Sequence, residues 1–96
     1  ALNQLNKAYS QIESIQQFSL RSSTLNKIAR RFSVFGETEK SRKAATESLE
    51  IINKILDESI RATALAEISD VFDTLKFEVN ENEKEILRAI ISKAQI

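Results

Sequence analysis

The sequence predicts an all-α chain of antiparallel helical hairpins stacked side by side, and three observations predict it. A fourteen-residue stretch from Ser19 to Phe32 recurs from Ser59 to Phe72, with Ser19/Ser59, Arg21/Arg61, Leu25/Leu65, Ile28/Ile68 and Phe32/Phe72 each forty residues apart. A fixed period of roughly 20–50 residues marks a stacked-helix array. Pro is absent and Gly occurs once, so the tight turns that strands require have few residues to make them. Apolar residues, in turn, keep the three-and-four spacing of one-sided helices. The 96 residues make a single domain, 1–96, read either as a whole or as an excerpt of a longer array.

The first helix is expected from about Leu2 to Gln16, with Leu2, Leu5, Ala8, Tyr9, Ile12 and Ile15 on one face. A second runs from Phe18 or Ser19 to Phe35, its core stripe being Leu25, Ile28, Ala29, Phe32 and Phe35. Gly36 follows, the one residue type that takes a left-handed helix end without steric cost. Thr38 is a plausible cap for the third helix, which runs to about Leu56 with Ala45, Ser48, Leu49, Ile52, Ile55 and Leu56 inward. Asp57 caps the fourth, Glu58 to Phe77, whose stripe is Leu65, Ile68, Ser69, Phe72 and Leu75.

The fifth helix follows Asn80-Glu81-Asn82-Glu83-Lys84, an echo of Gly36-Glu37-Thr38-Glu39-Lys40 at forty-four residues, with Asn80 in the left-handed position. That shift implies four inserted residues around Lys76–Val79, and Ala45/Ala89, Ser48/Ser92 and Ile52/Ile96 keep the new register. Tyr9, Ile12 and Ile15 align with Leu49, Ile52 and Ile55, so the order is B–A–B–A–B, and short connections make neighbours antiparallel.

With these residues in place the chain resembles the tetratricopeptide-repeat (TPR) family. Leu25, Ile28, Ala29, Phe32 and Gly36 match that family's A helix and turn, while Glu39-Lys40-Ser41, Ala45 and Ser48 match its B helix. Ala1, Leu5, Ala8 and Tyr9 match the leading half, and Leu65, Ile68, Ser69 and Phe72 make the second copy. The chain departs from the family in its longer period, its Leu for Trp, its missing Pro and the insertion in the second copy. The resemblance implies a right-handed superhelix of about five helices whose A helices line a groove for a peptide or protein segment.

On that reading Ser23, Asn26, Lys27, Arg30 and Val34 of the second helix line the groove with Thr63, Ala66, Glu67, Asp70, Asp73 and Thr74 of the fourth. One end would be positive and the other negative. A purely structural account pairs Lys27 with Glu67 and Arg30 with Asp70 across the two helices, and the two accounts are compatible. Arg21 and Arg61, at equivalent helix starts, are expected to tie a loop to a neighbouring carboxylate or carbonyl.

The first half of the chain carries eight Lys/Arg against four Glu and the second half six against ten Asp/Glu, so net charges of +4 and −4 cancel. No global attraction to nucleic acid or anionic lipid results. Lys27, Arg30, Arg31, Lys40, Arg42 and Lys43 could form a basic patch, but Glu37, Glu39 and Glu47 interrupt it and disfavour a nucleic-acid partner. There is no His, no Cys and no Gly-rich loop, which removes the common carriers of general-base, thiolate and phosphate-cradle chemistry. The expectation is therefore a non-catalytic chain with no cofactor and no metal. Glu81, Glu83 and Glu85 are explained as dipole compensation at a helix start. No run spans a bilayer and no signal peptide is evident, so a cytoplasmic location is expected.

The last helix has an apolar surface wider than one neighbour can cover. Ile86, Leu87, Ala89, Ile90, Ile91 and Ala94 spread around it, with Phe77 and Val79 adding from the insertion. Resting one face on the fourth helix would leave Phe77, Val79, Ile86, Leu87, Ile90, Ile91 and Ala94 to form an interface, for a homodimer or for further repeats of a longer chain. The alternative function is thus an oligomerisation module that self-associates through this helix.

Overall fold

The computed structural model of the chain describes residues 2–94, and the regular elements among those residues are all helices, with no strand. Ala1 and Ile96, which the sequence places in the repeat pattern, and the side chain of Ala94 lie outside the described residues. Five α-helices run in order: α1 Leu2–Ser10, α2 Phe18–Val34, α3 Thr38–Ile52, α4 Glu58–Leu75 and α5 Glu81–Ala94. A single 3₁₀ turn, Ile12–Ser14, follows α1.

The predicted first helix therefore ends six residues early. Ser10 and Ser14 each turn their hydroxyl onto a carbonyl three residues back, at Lys7 and Gln11 (2.7 Å each), a bond that competes with the α-helical ladder. The tighter turn drives Ile12 into the core. The same tightening returns forty residues on: Ile15 N donates to Ile12 O (3.1 Å) as Ile55 N donates to Ile52 O (3.0 Å).

The freed carbonyls are taken by the paired arginines. Arg21 Nε donates to Ile15 O at 2.8 Å and the Arg61 guanidinium to Ile55 O at 2.9 Å, so each helix start is pinned to the loop before it. Asp57 caps α4 as expected, its carboxylate accepting from Ile60 N at 2.8 Å.

Gly36 takes a positive φ of 77°, with Glu37 N bonded back to Phe32 O and Gly36 N to Ser33 O. This six-to-one and five-to-two pairing closes α2. The equivalent residue is Lys76, not Asn80. Lys76 has φ 60°, and Phe77 N and Lys76 N reach Phe72 O and Asp73 O. Asn80 instead caps α5 in a reciprocal box: its Oδ1 accepts from Glu83 N (2.8 Å) while Glu83 Oε1 accepts from Asn80 N (2.9 Å). The forty-residue period thus holds through Lys76, and Phe77, Glu78 and Val79 are extra.

α2 and α3 form the tightest hairpin because small residues line their seam. Ser22, Ala29, Ser41, Ala44, Ala45 and Ser48 are all at most 1 % exposed. Ser41 Oγ donates to Ala29 O (2.6 Å), and the Ser22 and Ser48 hydroxyls meet at 2.8 Å, which leaves no polar group on the seam idle. α4 packs against both helices, adding Ile68, Val71 and Phe72 to the core that holds Leu25, Leu49 and Ile52. Phe32 is enclosed and edge-on to Tyr9, whereas Phe72 is edge-on to Phe77. Four of the apolar-face assignments fail: Leu56 is 93 % exposed, Phe35 is 42 % exposed, and Ala8 and Ser69 are exposed.

α5 does not rest on α4. It packs on α3, held by Ile90 in the core and by Lys93, which donates to the Asn53 backbone and side chain. No helix among the described residues is long and apolar enough to cross a membrane.

Candidate functional site

The outer face of α2 and α4 assembles from the residues the repeat placed there. Arg30 donates to Asp70 at 2.9 Å, with side chains 39 % and 68 % exposed, so the expected cross-helix pair forms in open solvent. Lys27 does not pair with Glu67. That carboxylate turns inward and accepts from Ser23 Oγ (3.2 Å) and Asn26 Nδ2 (3.1 Å). Asn26 is 2 % exposed because it sits on the side of α2 that α4 covers, so it belongs to the helix–helix contact. Lys27, Val34, Thr63, Ala66, Asp70, Asp73 and Thr74 remain exposed on this face.

Of the proposed C-terminal set, Ile90 is buried within the chain, and Phe77, Ile86 and Leu87 are half-buried against the core. Among the described side chains of that set, Val79 and Ile91 are the exposed ones, at 36 % and 49 %.

Two features go beyond the sequence reading, which gives Glu83 only a dipole-compensating role. The first is the carboxylate of Glu83, which is fully buried. It accepts from Arg42 (2.6 Å), Thr46 Oγ1 (2.7 Å) and the Asn80 N–H, and Arg42 also reaches Glu78 O (2.5 Å) and lies 5.4 Å from the Phe77 ring centroid. One arginine of α3 therefore organises the whole connection from Lys76 to Asn80. The Asn-x-x-Glu spacing at Asn80–Glu83 was the signal available for it.

The second is an apolar cleft of about 160 Å³ lined by Leu49, Ile68, Ser69, Phe72, Val79 and Leu87, where α4 and α5 part company. At the opposite end of the helices Phe18, Leu56 and Ile60 leave a shallower apolar surface. Tyr9 Oη donates to Glu47 at 2.7 Å, and burial together with that acceptor holds the phenol well above its ordinary range. Among the described residues no group of three His, Cys, Asp or Glu side chains stands where it could hold a metal ion.

Comparison with known proteins finds no family model, no curated protein and no solved structure that matches the chain.

Proposed function

We propose that the chain is a non-catalytic protein–protein interaction module, a TPR-like scaffold of hairpins in a right-handed stack. It takes a peptide or protein segment along the outer face of α2 and α4. The observation that supports this is the separation of charge between the two helices: Lys27 and Arg30 on one, Asp70 and Asp73 on the other, with the exposed Arg30–Asp70 pair between them. An exposed pair is worth only ~0–1 kcal/mol, so a ligand with both signs of charge can replace it at little cost.

The test is charge reversal. Arg30→Glu and Asp70→Arg, made separately, should each weaken capture of a partner segment by about tenfold, or ~1.4 kcal/mol, with melting unchanged. If both variants bind as the parent chain does, the outer face is not the groove.

Val79 and Ile91 favour a second function, self-association through the C-terminal helix. Sedimentation of the chain separates the two, because an oligomer that Ile91→Glu dissolves belongs to the second.

A further inference from the structure

α2 and α4 carry equivalent stripes forty residues apart, but only α2 has the whole of its stripe covered. Ser22, Leu25, Ala29 and Phe32 are at most 1 % exposed beneath α3. Of their counterparts, Ala62 and Ser69 are exposed and Leu65 is half-buried, while Phe72 stays buried at 8 %.

The cause lies on α5. Thr38 and Glu81 open α3 and α5, so the two helices are related by forty-three residues and not by forty-four. The contacts agree. Lys40 and Glu47 of α3 reach back to α1, at Asn6 and Tyr9, and their counterparts Glu83 and Ile90 are the residues of α5 buried on α3. In this register the seam residues Ser41, Ala44, Ala45 and Ser48 become Lys84, Leu87, Arg88 and Ile91, which share one flank of α5. Four small side chains have become two long cations and two branched chains, and α5 cannot nestle against α4 as α3 does against α2.

The wedge left open has an apolar floor of about 160 Å³. An engineered cavity of about 150 Å³ lined by similar side chains admits a benzene ring, so this one accepts a single Leu or Phe side chain. Leu87 is the α5 residue that lines this cavity, and the exposed flank of α5 beside it is cationic: Lys84 holds only the exposed Glu81 (3.3 Å), and Arg88 makes no ion pair among the described residues.

We propose that the wedge between α4 and α5 is a docking groove for an amphipathic helix of another protein. Small residues of that helix lie against Ala62 and Ser69, one large apolar side chain enters the cavity, and acidic side chains meet Lys84 and Arg88. The small residues follow from what covers the equivalent stripe on α2, namely Ser41, Ala45 and Ser48 of α3. The acidic flank follows from Lys84 and Arg88 on the side of α5 next to Leu87. This groove is separate from the outer face and does not depend on it.

The probe is a fluorescein-labelled peptide with the sequence of residues 38–52 carrying Lys40→Glu, Arg42→Glu and Lys43→Glu, whose Leu49 supplies the anchor. It is titrated by anisotropy against the whole chain. The groove predicts saturable binding that Ser69→Trp abolishes by filling the wedge and Arg88→Glu weakens about tenfold, while Arg30→Glu leaves it unchanged. Circular dichroism checks the fold of each variant. Should Ser69→Trp not fold, the Lys84→Glu/Arg88→Glu pair on the exposed flank replaces it, with the same loss expected. Absence of saturable binding overturns the proposal, as does binding that the folded groove variant leaves intact. Loss on Arg30→Glu alone overturns it while leaving the outer-face reading standing. A dimer that Ser69→Trp dissolves also overturns it, since a second copy then fills the wedge.

Discussion

Arg42 and Glu83 meet at 2.6 Å, the carboxylate wholly buried and the guanidinium side chain 31 % exposed. The pair joins the middle of the chain to its last helix across forty-one residues, and Thr46 and the Asn80 N–H complete the carboxylate's bonding. Removing one partner of such a pair leaves a charge without compensation, which costs far more than the intact pair is worth. Arg42→Ala should therefore lower the unfolding free energy by about 3 kcal/mol in urea titrations. Replacing both residues by Leu should recover much of that loss. A single substitution costing under about 0.5 kcal/mol would show that the pair holds nothing.

Gly36 and Lys76 occupy the same left-handed conformation at the ends of α2 and α4, and only one of them is suited to it. No atom stands within 4 Å of a Cβ built on Gly36, so backbone strain is the whole cost of adding one. Gly36→Ala should destabilise by about 1 kcal/mol, and Lys76→Gly should stabilise by a similar amount. Thermal melts of the two variants, shifting in opposite directions, are the check.

Burial, with Glu47 as acceptor, raises the Tyr9 phenol above its unfolded value. A raised acid stabilises the fold while it stays protonated, so its contribution is intact below the ordinary phenol pKa of about 10 and declines as pH climbs past that point. Tyr9→Phe should flatten the alkaline limb of the stability–pH curve. Identical slopes for parent and variant above about pH 10 would rule the effect out.

Arg21 and Arg61 perform one task at different depths. Arg61 is 6 % exposed, whereas Arg21 is half-buried. Losing a charged donor to a carbonyl costs about 1.5–3 kcal/mol when the site is dry, and less when water can substitute. Arg61→Ala should consequently destabilise more than Arg21→Ala, by at least ~1 kcal/mol in chemical denaturation.

What the sequence made legible followed from local rules. Helix existence, the Gly36 turn, the Asp57 cap and the carbonyl-tying role of the twin arginines each depend on a few neighbouring residues, and each is present. The misplacements came from relationships that local rules do not contain. Asn80 echoes Gly36 in sequence, which points to a left-handed turn, yet with the Lys76 backbone already left-handed it is a cap. Ala45/Ala89 and Ser48/Ser92 aligned well by residue type, but the burial of Glu83 and Ile90 sets a register one residue shorter, which turns a different side of α5 toward α4. Asn26 looked like a groove residue because it is polar. It is covered because α4 packs along α2 there with Glu67 against it, and a contact between distant helices leaves no mark on the periodicity of either.

The uneven covering of α2 and α4 also governs how freely each can drift over evolutionary time. Ser22 and Ala29 lie under a neighbouring backbone, and any bulk added there forces helices apart, a change worth about 1–3 kcal/mol or more. Ala62 and Ser69 face open space and bear no such restriction from folding. In a deep mutational scan read for abundance, two positions forty residues apart in the same motif should therefore show opposite tolerance. Any intolerance at Ala62 or Ser69 that emerges only under selection for activity would then be a signature of work done outside the chain.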